Sequence, residues 1–131
     1  MNKVLLIGCG HMGSALLKKW QGLKLYKFTV IDPLNYNLIK KKFRSKKIDI
    51  IKSAKDLRNV SNYDLIIFAI TPQFAASVLK EYKFFKFKKN SVIISIVAGK
   101  KINFFKKNLI FSNQIIRVMP NMPSLIGKGM S

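Results

Sequence analysis

One cysteine, Cys9, stands in the chain, so no disulfide can form within it, and the sequence reads as a protein of a reducing compartment. Acidic residues are almost as scarce, five Asp and Glu in all, with a single His. That inventory offers no metal-ligand cluster, no paired acids for acid–base work and no G-x-S-x-G nucleophile turn. Long apolar runs are also missing. The longest, Leu65 to Ile70, is far short of the roughly 20 residues that span a bilayer. The four apolar residues before Gly8 are too few for a signal-peptide core, and no small-residue cleavage site follows. No repeat, low-complexity tract or Gly/Ser linker divides the 131 residues, so they read as one domain, 1–131, soluble and cytoplasmic.

Positive charge, by contrast, is abundant. Lys and Arg number 25 and leave a formal net charge of +20. Only three of them are Arg (Arg44, Arg58 and Arg117), and the lysines are spread over every predicted helix and loop. Lys, Asn, Ile and Phe are enriched together, as an AT-rich coding sequence would produce. We read the surplus as solvated surface and expect no nucleic-acid partner. A phosphate-binding footprint, the alternative, would sit at 40–47 or 83–90, where the basic residues cluster.

Short apolar runs alternate with amphipathic stretches, the pattern of βαβ units around a mostly parallel sheet. Strands are predicted at 3–8, 27–32, 48–51 (weakly), 64–70, 91–97 and 114–119. Helices are predicted at 12–20, 34–43, 73–82 and 100–107. In the first, Met12, Ala15, Leu16 and Trp20 recur at helical spacing while Lys18 and Lys19 face away.

The first strand runs into "GCGHMG", with Gly8, Gly10 and Gly13 in G-x-G-x-x-G register. Gly8 permits a tight strand-to-helix turn, Gly10 lets backbone approach a pyrophosphate, and Gly13 lets the helix pack on the strand. The helix head then offers N–H groups and a positive dipole end to phosphates. A glycine turn of purely structural purpose is the alternative. Against it stand the flanking strand and helix, and Asp32 at the end of the second strand, 19 residues past Gly13. A carboxylate there accepts hydrogen bonds from ribose hydroxyls and repels a 2′-phosphate, which favours NAD over NADP. Asp32 also suits a helix cap, with Pro33 at a first helical position; the two roles are compatible. Cys9 lies between two glycines with no base in evidence, and His11 is read as a loop residue beside the pyrophosphate. "AITPQ" (69–73) and "SIVAGK" (95–100) end two further strands, bringing three strand ends to one sheet edge. Pro72 suits a helix start.

In this order and spacing, "IGCGHMGSAL", "AITPQ", "SIVAGK" and the closing "IIRVMPNMPSLIGKGMS" resemble the N-terminal half of pyrroline-5-carboxylate reductase. The R-x-M-P-N-x-P tail is more specific than the glycine loop. It argues against other small reductases, such as a 3-hydroxyacid dehydrogenase type, while a nucleic-acid-binding module is the rival from another class. The resemblance implies an α/β, Rossmann-type, doubly wound and mostly parallel sheet with helices on both faces, binding NAD(P)H. It implies that Ile7, Gly8, Cys9, Gly10, His11 and Met12 line the pyrophosphate. Ala69, Ile70, Thr71 and Pro72 follow the cofactor, while Ile96, Val97 and Ala98 approach the nicotinamide. Met119, Pro120 and Asn121 would shape its pocket. The family often has Lys where Thr71 stands, so a phosphate contact is weakened and the leaning is towards NADH. The implied substrate is 1-pyrroline-5-carboxylate, reduced by hydride transfer to L-proline. The family's helical domain, which dimerises and carries most substrate contacts, is expected to be absent from 1–131, leaving this half inactive alone. No catalytic residue can be carried over.

Overall fold

Along β1 (Asn2–Ile7), Val4 and Leu6 pack on one side of the sheet and Leu5 and Ile7 on the other, and all four are buried. Four successive apolar residues, with their side chains on alternate faces, need both faces of the strand covered. The computed structural model, which describes residues 2–20, 26–43, 48–83, 85–88, 90–96, 104 and 114–117, meets that need. β1 is flanked by β2 (Tyr26–Ile31) and β4 (Leu65–Phe68), and the described sheet runs β3-β2-β1-β4-β5-β6, every pairing parallel. Here β3 is Ile48–Ile51, β5 is Val92–Ser95 and β6 is Gln114–Arg117.

One face carries α1 (His11–Trp20) and α2 (Tyr36–Lys42), which bury Leu16, Leu17 and Ile39 against Val4, Leu6, Val30 and Ile67. Leu17 belongs to this stripe as well as the predicted Leu16; Trp20 is half-buried and stacks on Phe28 with ring centroids 6.4 Å apart. The opposite face carries α3 (Pro72–Tyr82), which seats Ala75, Leu79 and Tyr82 on Leu5, Ile66, Phe68 and Ile93. Phe104, helical within the predicted 100–107 segment, packs on this second face. The Rossmann-type, doubly wound expectation holds. Two short 3₁₀ turns, Ala54–Asp56 and Val60–Asn62, were not foreseen; they bury Ala54 beneath the second face with the adjoining Leu57 and Tyr63. The Tyr63 hydroxyl donates to Thr29 Oγ1 at 3.2 Å, which lets a polar strand residue be buried without loss.

Strand order decides where a ligand can go. The chain turns outward from β1 to β2 and β3, then returns to build β4, β5 and β6 on the other side. The crevice between β1 and β4, outside the strands' carboxyl ends, is the switch point of the sheet. Register aligns those ends: Ile7 lies beside Ile31 and Phe68, and Phe68 beside Ser95.

At the opposite edge Asp64 staples three strand beginnings. Its Oδ2 accepts from the Lys3 backbone N–H at 2.8 Å, and Oδ1 pairs with the Lys88 ammonium. Its own backbone N–H and C=O bond to Lys3 and Val92. The Lys88 ammonium, aided by the Lys3 N–H, holds the carboxyl below its ordinary range. A depressed folded-state pKa contributes stability that is complete above the unfolded value of about 3.9 and disappears as pH falls through the folded value. Acid denaturation should therefore show Asp64→Asn less stable than the parent near neutrality but losing less stability between about pH 5 and pH 2. Parallel denaturant midpoints across that range would contradict the staple.

Candidate functional site

Gly8 follows β1 with φ at +91°, a region that side chains rarely adopt. Its N–H still bonds to Ile31 at 2.8 Å, so the turn begins while the ladder to β2 is intact. A Cβ there would stand 2.6 Å from the Ala69 carbonyl oxygen and 2.7 Å from Ile70 Cγ2. Gly13 is equally confined, because a Cβ would lie 2.6 Å from the Gly8 carbonyl oxygen. These two glycines are demanded by the fold. Gly10 is different. It is exposed, and a Cβ built on it meets no atom within 4 Å. Packing within the described residues therefore does not account for glycine at position 10.

α1 begins at His11, so His11 is a helix residue and not the loop residue expected; Met12 and Gly13 follow in the same first turn. First-turn N–H groups have no intrahelical acceptor, and here they gather at the switch point.

Asp32 explains how the loop is held. The carboxylate is buried, 7% exposed, and engaged by four donors. Oδ2 accepts from the Cys9 N–H at 2.7 Å and from Asn35 Nδ2 at 2.9 Å. Oδ1 accepts from the backbone N–H groups of Leu34 and Asn35, each at 3.1 Å. The capping role is thus visible, with one correction. Residues 33–35 form a turn on which Asp32 holds the Leu34 and Asn35 N–H groups, and α2 starts only at Tyr36. Asn35, a carboxylate partner, was not singled out from sequence; its D-x-x-N spacing was the available signal.

The neighbouring strand ends close the crevice. Ala69 N–H bonds to Ile7 at 2.8 Å and Ile96 N–H to Phe68 at 3.0 Å, extending the ladder past both strands. Ala69 and Ile70 are half-buried against the glycine loop, while Thr71 and Pro72 are exposed at the head of α3, with Pro72 at its first turn as expected. Ile96 is buried on the α1 face. Val97, Ala98 and Asn121, along with Met119 and Pro120, lie outside the described residues.

Cys9 is 2% exposed, its Sγ 3.5 Å from Ser14 Oγ, and burial pushes its thiol pKa up. A buried thiol with a raised pKa is a poor nucleophile. Between α1 and α2 a cleft of about 550 Å³ opens, with Gly10 and Asn35 at the loop end and Lys18, Lys19 and Lys42 along its walls. Among the described residues no three His, Cys, Asp or Glu side chains gather to hold a metal ion, and no helix is long and apolar enough to cross a membrane.

A glycine turn at the switch point of a six-stranded parallel sheet, tied to an acid closing the second strand, defines the Rossmann class of α/β domains. Within it, the chain belongs to the family described as NADP oxidoreductase, coenzyme F420-dependent, whose profile matches residues 3–99. It is 32% identical to pyrroline-5-carboxylate reductase of Pasteurella multocida (strain Pm70), over 98% of this chain and 47% of that protein. Among solved structures it is similar to Plasmodium falciparum pyrroline carboxylate reductase with NADP bound, at 27% identity and a TM-score of 0.71, covering 96% of this chain and 45% of that one. The Streptococcus pyogenes 1-pyrroline-5-carboxylate reductase is also similar, at 27% identity and a TM-score of 0.72, covering 95% and 44%. The chain spans about half the length of the curated relatives it matches.

Replacing Asp32 with Ala removes the acceptor for three backbone N–H groups, one of them buried. Unfolding in urea should show a loss of about 2–3 kcal/mol, from an orphaned donor and a lost cap together. A loss below about 0.5 kcal/mol would mean that the carboxylate does not organise the loop.

Proposed function

We propose that this chain is the coenzyme-binding half of a pyrroline-5-carboxylate reductase, an oxidoreductase that makes L-proline from 1-pyrroline-5-carboxylate with NAD(P)H. The single observation that carries the reading is the unfilled space over Gly10, framed by two glycines that the fold itself requires. Similarity to reductases of that name along nearly the whole chain supports the substrate.

The fit to a dinucleotide is concrete. Gly8, Cys9 and Gly10 would bring backbone close to the diphosphate, and the first turn of α1, from His11 to Gly13, would direct N–H groups at its charge. Ala69 to Pro72 and Ile96 would border the remainder of the coenzyme from the β4 and β5 ends, with Val97, Ala98 and Asn121 continuing that border. Bound NAD(P)H would supply the hydride for an imine carbon that is already electrophilic. The chain's own work is then to orient the coenzyme and exclude water, with no nucleophile of its own. Cys9 and Ser14 accordingly serve the loop: Ser14 Oγ donates to the Cys9 carbonyl at 3.2 Å. Substrate contacts and homo-oligomer formation are assigned to the family's helical domain, and the working compartment to the cytoplasm.

Gly10→Val tests the reading cleanly, because the new side chain points into open space. Stability should change by about 1 kcal/mol or less, the cost of a poorer helix cap. NAD(P)H binding should be lost, and with it the stabilisation of about 2.7 kcal/mol that a ligand at 100 times its Kd confers. Unchanged coenzyme affinity in a folded Gly10→Val variant would refute the loop assignment.

A further inference from the structure

We infer that the pocket beneath the two 3₁₀ turns, on the sheet face turned away from α1 and α2, binds a free acidic α-amino acid. The turns that carry the chain from β3 to β4 roof a space of about 220 Å³. Its floor is the sheet. Lys3 of β1, Lys27 and Thr29 of β2 and Asp49 of β3 line it, on the face that holds Leu5 and Ile31, because side chains alternate along a strand. The sheet therefore stands between this pocket and the cleft beside the glycine loop. The inference does not rest on the coenzyme reading.

Register sets the charge of this pocket. Lys3 and Lys27 are partners across β1 and β2, where neighbouring strands stand about 4.8 Å apart. Like charges directly opposite each other destabilise a sheet unless something of the other sign offsets them. Asp49 does so for one of the two, its Oδ2 lying 3.7 Å from Lys27 Nζ. The roof adds Asp56 and Arg58. Among the described residues no ion pair engages Lys3, Asp56 or Arg58 through its side chain. Two cations and one carboxylate are thus left for a ligand, and their complement is two carboxylates and one ammonium. An α-amino acid with a carboxylate side chain carries that set. A plain dicarboxylate or a phosphate would instead meet Asp49 and Asp56 with nothing to offer them. Tyr63 and Thr29, buried and hydrogen-bonded to each other, make a fixed wall, and burial pushes the Tyr63 phenol pKa up, so it stays neutral. Asn59, held at φ 54°, and Asn62 bring amides that can donate to a carboxylate or accept from an ammonium. The space is smaller than the roughly 300–1,000 Å³ of sites for drug-sized ligands, which suits an amino acid and excludes a dinucleotide.

The test is calorimetric titration of the full chain with L-glutamate, beside glutarate, which lacks the ammonium, and L-glutamine, which lacks the second carboxylate. L-Glutamate should bind saturably with a Kd of about 1 mM or tighter, and each of the other two at least about tenfold more weakly. Asp56 and Arg58 are exposed, so Asp56→Asn and Arg58→Ala should fold as the parent does. Arg58→Ala should weaken L-glutamate about tenfold, and in Asp56→Asn the advantage of L-glutamate over glutarate should disappear. Amide NMR of the unaltered chain should place the shifts at Asn59, Asn62 and Tyr63 and leave Gly8 to Gly13 unmoved. Gly10→Val should bind L-glutamate as the parent does, so a failure of the coenzyme reading is told apart from a failure here. A titration with L-glutamate that shows no saturable binding would overturn the inference. Glutarate or L-glutamine binding as tightly as L-glutamate would overturn the ligand class. Undiminished affinity in Arg58→Ala, or shifts centred away from the 3₁₀ turns, would overturn the location.

Discussion

The backbone N–H of Cys9, held at 2.7 Å by a carboxylate 23 residues away, is the contact on which the site depends. Without it, the turn after β1 and the turn after β2 are neighbours by strand pairing alone. With it they are one unit. Asp32 fixes Cys9, Leu34 and Asn35 together, and so sets the gap between the heads of α1 and α2. A buried carboxylate is tolerated because its acceptor positions are used; unpaired it would cost several kcal/mol.

The sheet supplies the rigid frame for that contact. Burial on both faces forces β1 to be apolar at successive positions and locks its register against β2 and β4. Aligned strand ends then bring Gly8, Asp32, Ala69 and Ile96 to the same edge without any of them being near in sequence. Gly8 and Gly13 satisfy the tight approach this requires; each stands where a Cβ would run into backbone. Gly10 alone has room to spare, which is why the loop's chemistry is attributed to it.

Much of this was legible in the residues. β3 coincides with the predicted 48–51, and Pro72 opens α3 as its fixed φ favours. Strand ends were read too long: β4 stops at Phe68, since Ala69 and Ile70 are drawn against Gly8. The 3₁₀ turns escaped because "SAKDLRNVSN" has few apolar residues and no periodicity. What orders it is burial of Leu57 and Tyr63 under the sheet and a left-handed Asn59 at φ 54°. The inward aim of Asp32 escaped for a similar reason: a carboxylate's direction is decided by which donors the fold delivers, and Cys9 is delivered from another strand. The clustering of Lys18 and Lys42 was hidden likewise, since two helices on the same face bring them together.

The central claim is that the backbone from Gly8 to Gly13 receives the diphosphate of a reduced nicotinamide coenzyme. Amide NMR of the labelled chain during a coenzyme titration addresses it directly, because each N–H along the loop reports separately. The account predicts the largest, saturable shifts at Gly10 through Gly13, with those of the 3₁₀ turns between β3 and β4 unmoved. Shifts centred elsewhere, or a loop that stays silent at saturating coenzyme, would contradict it.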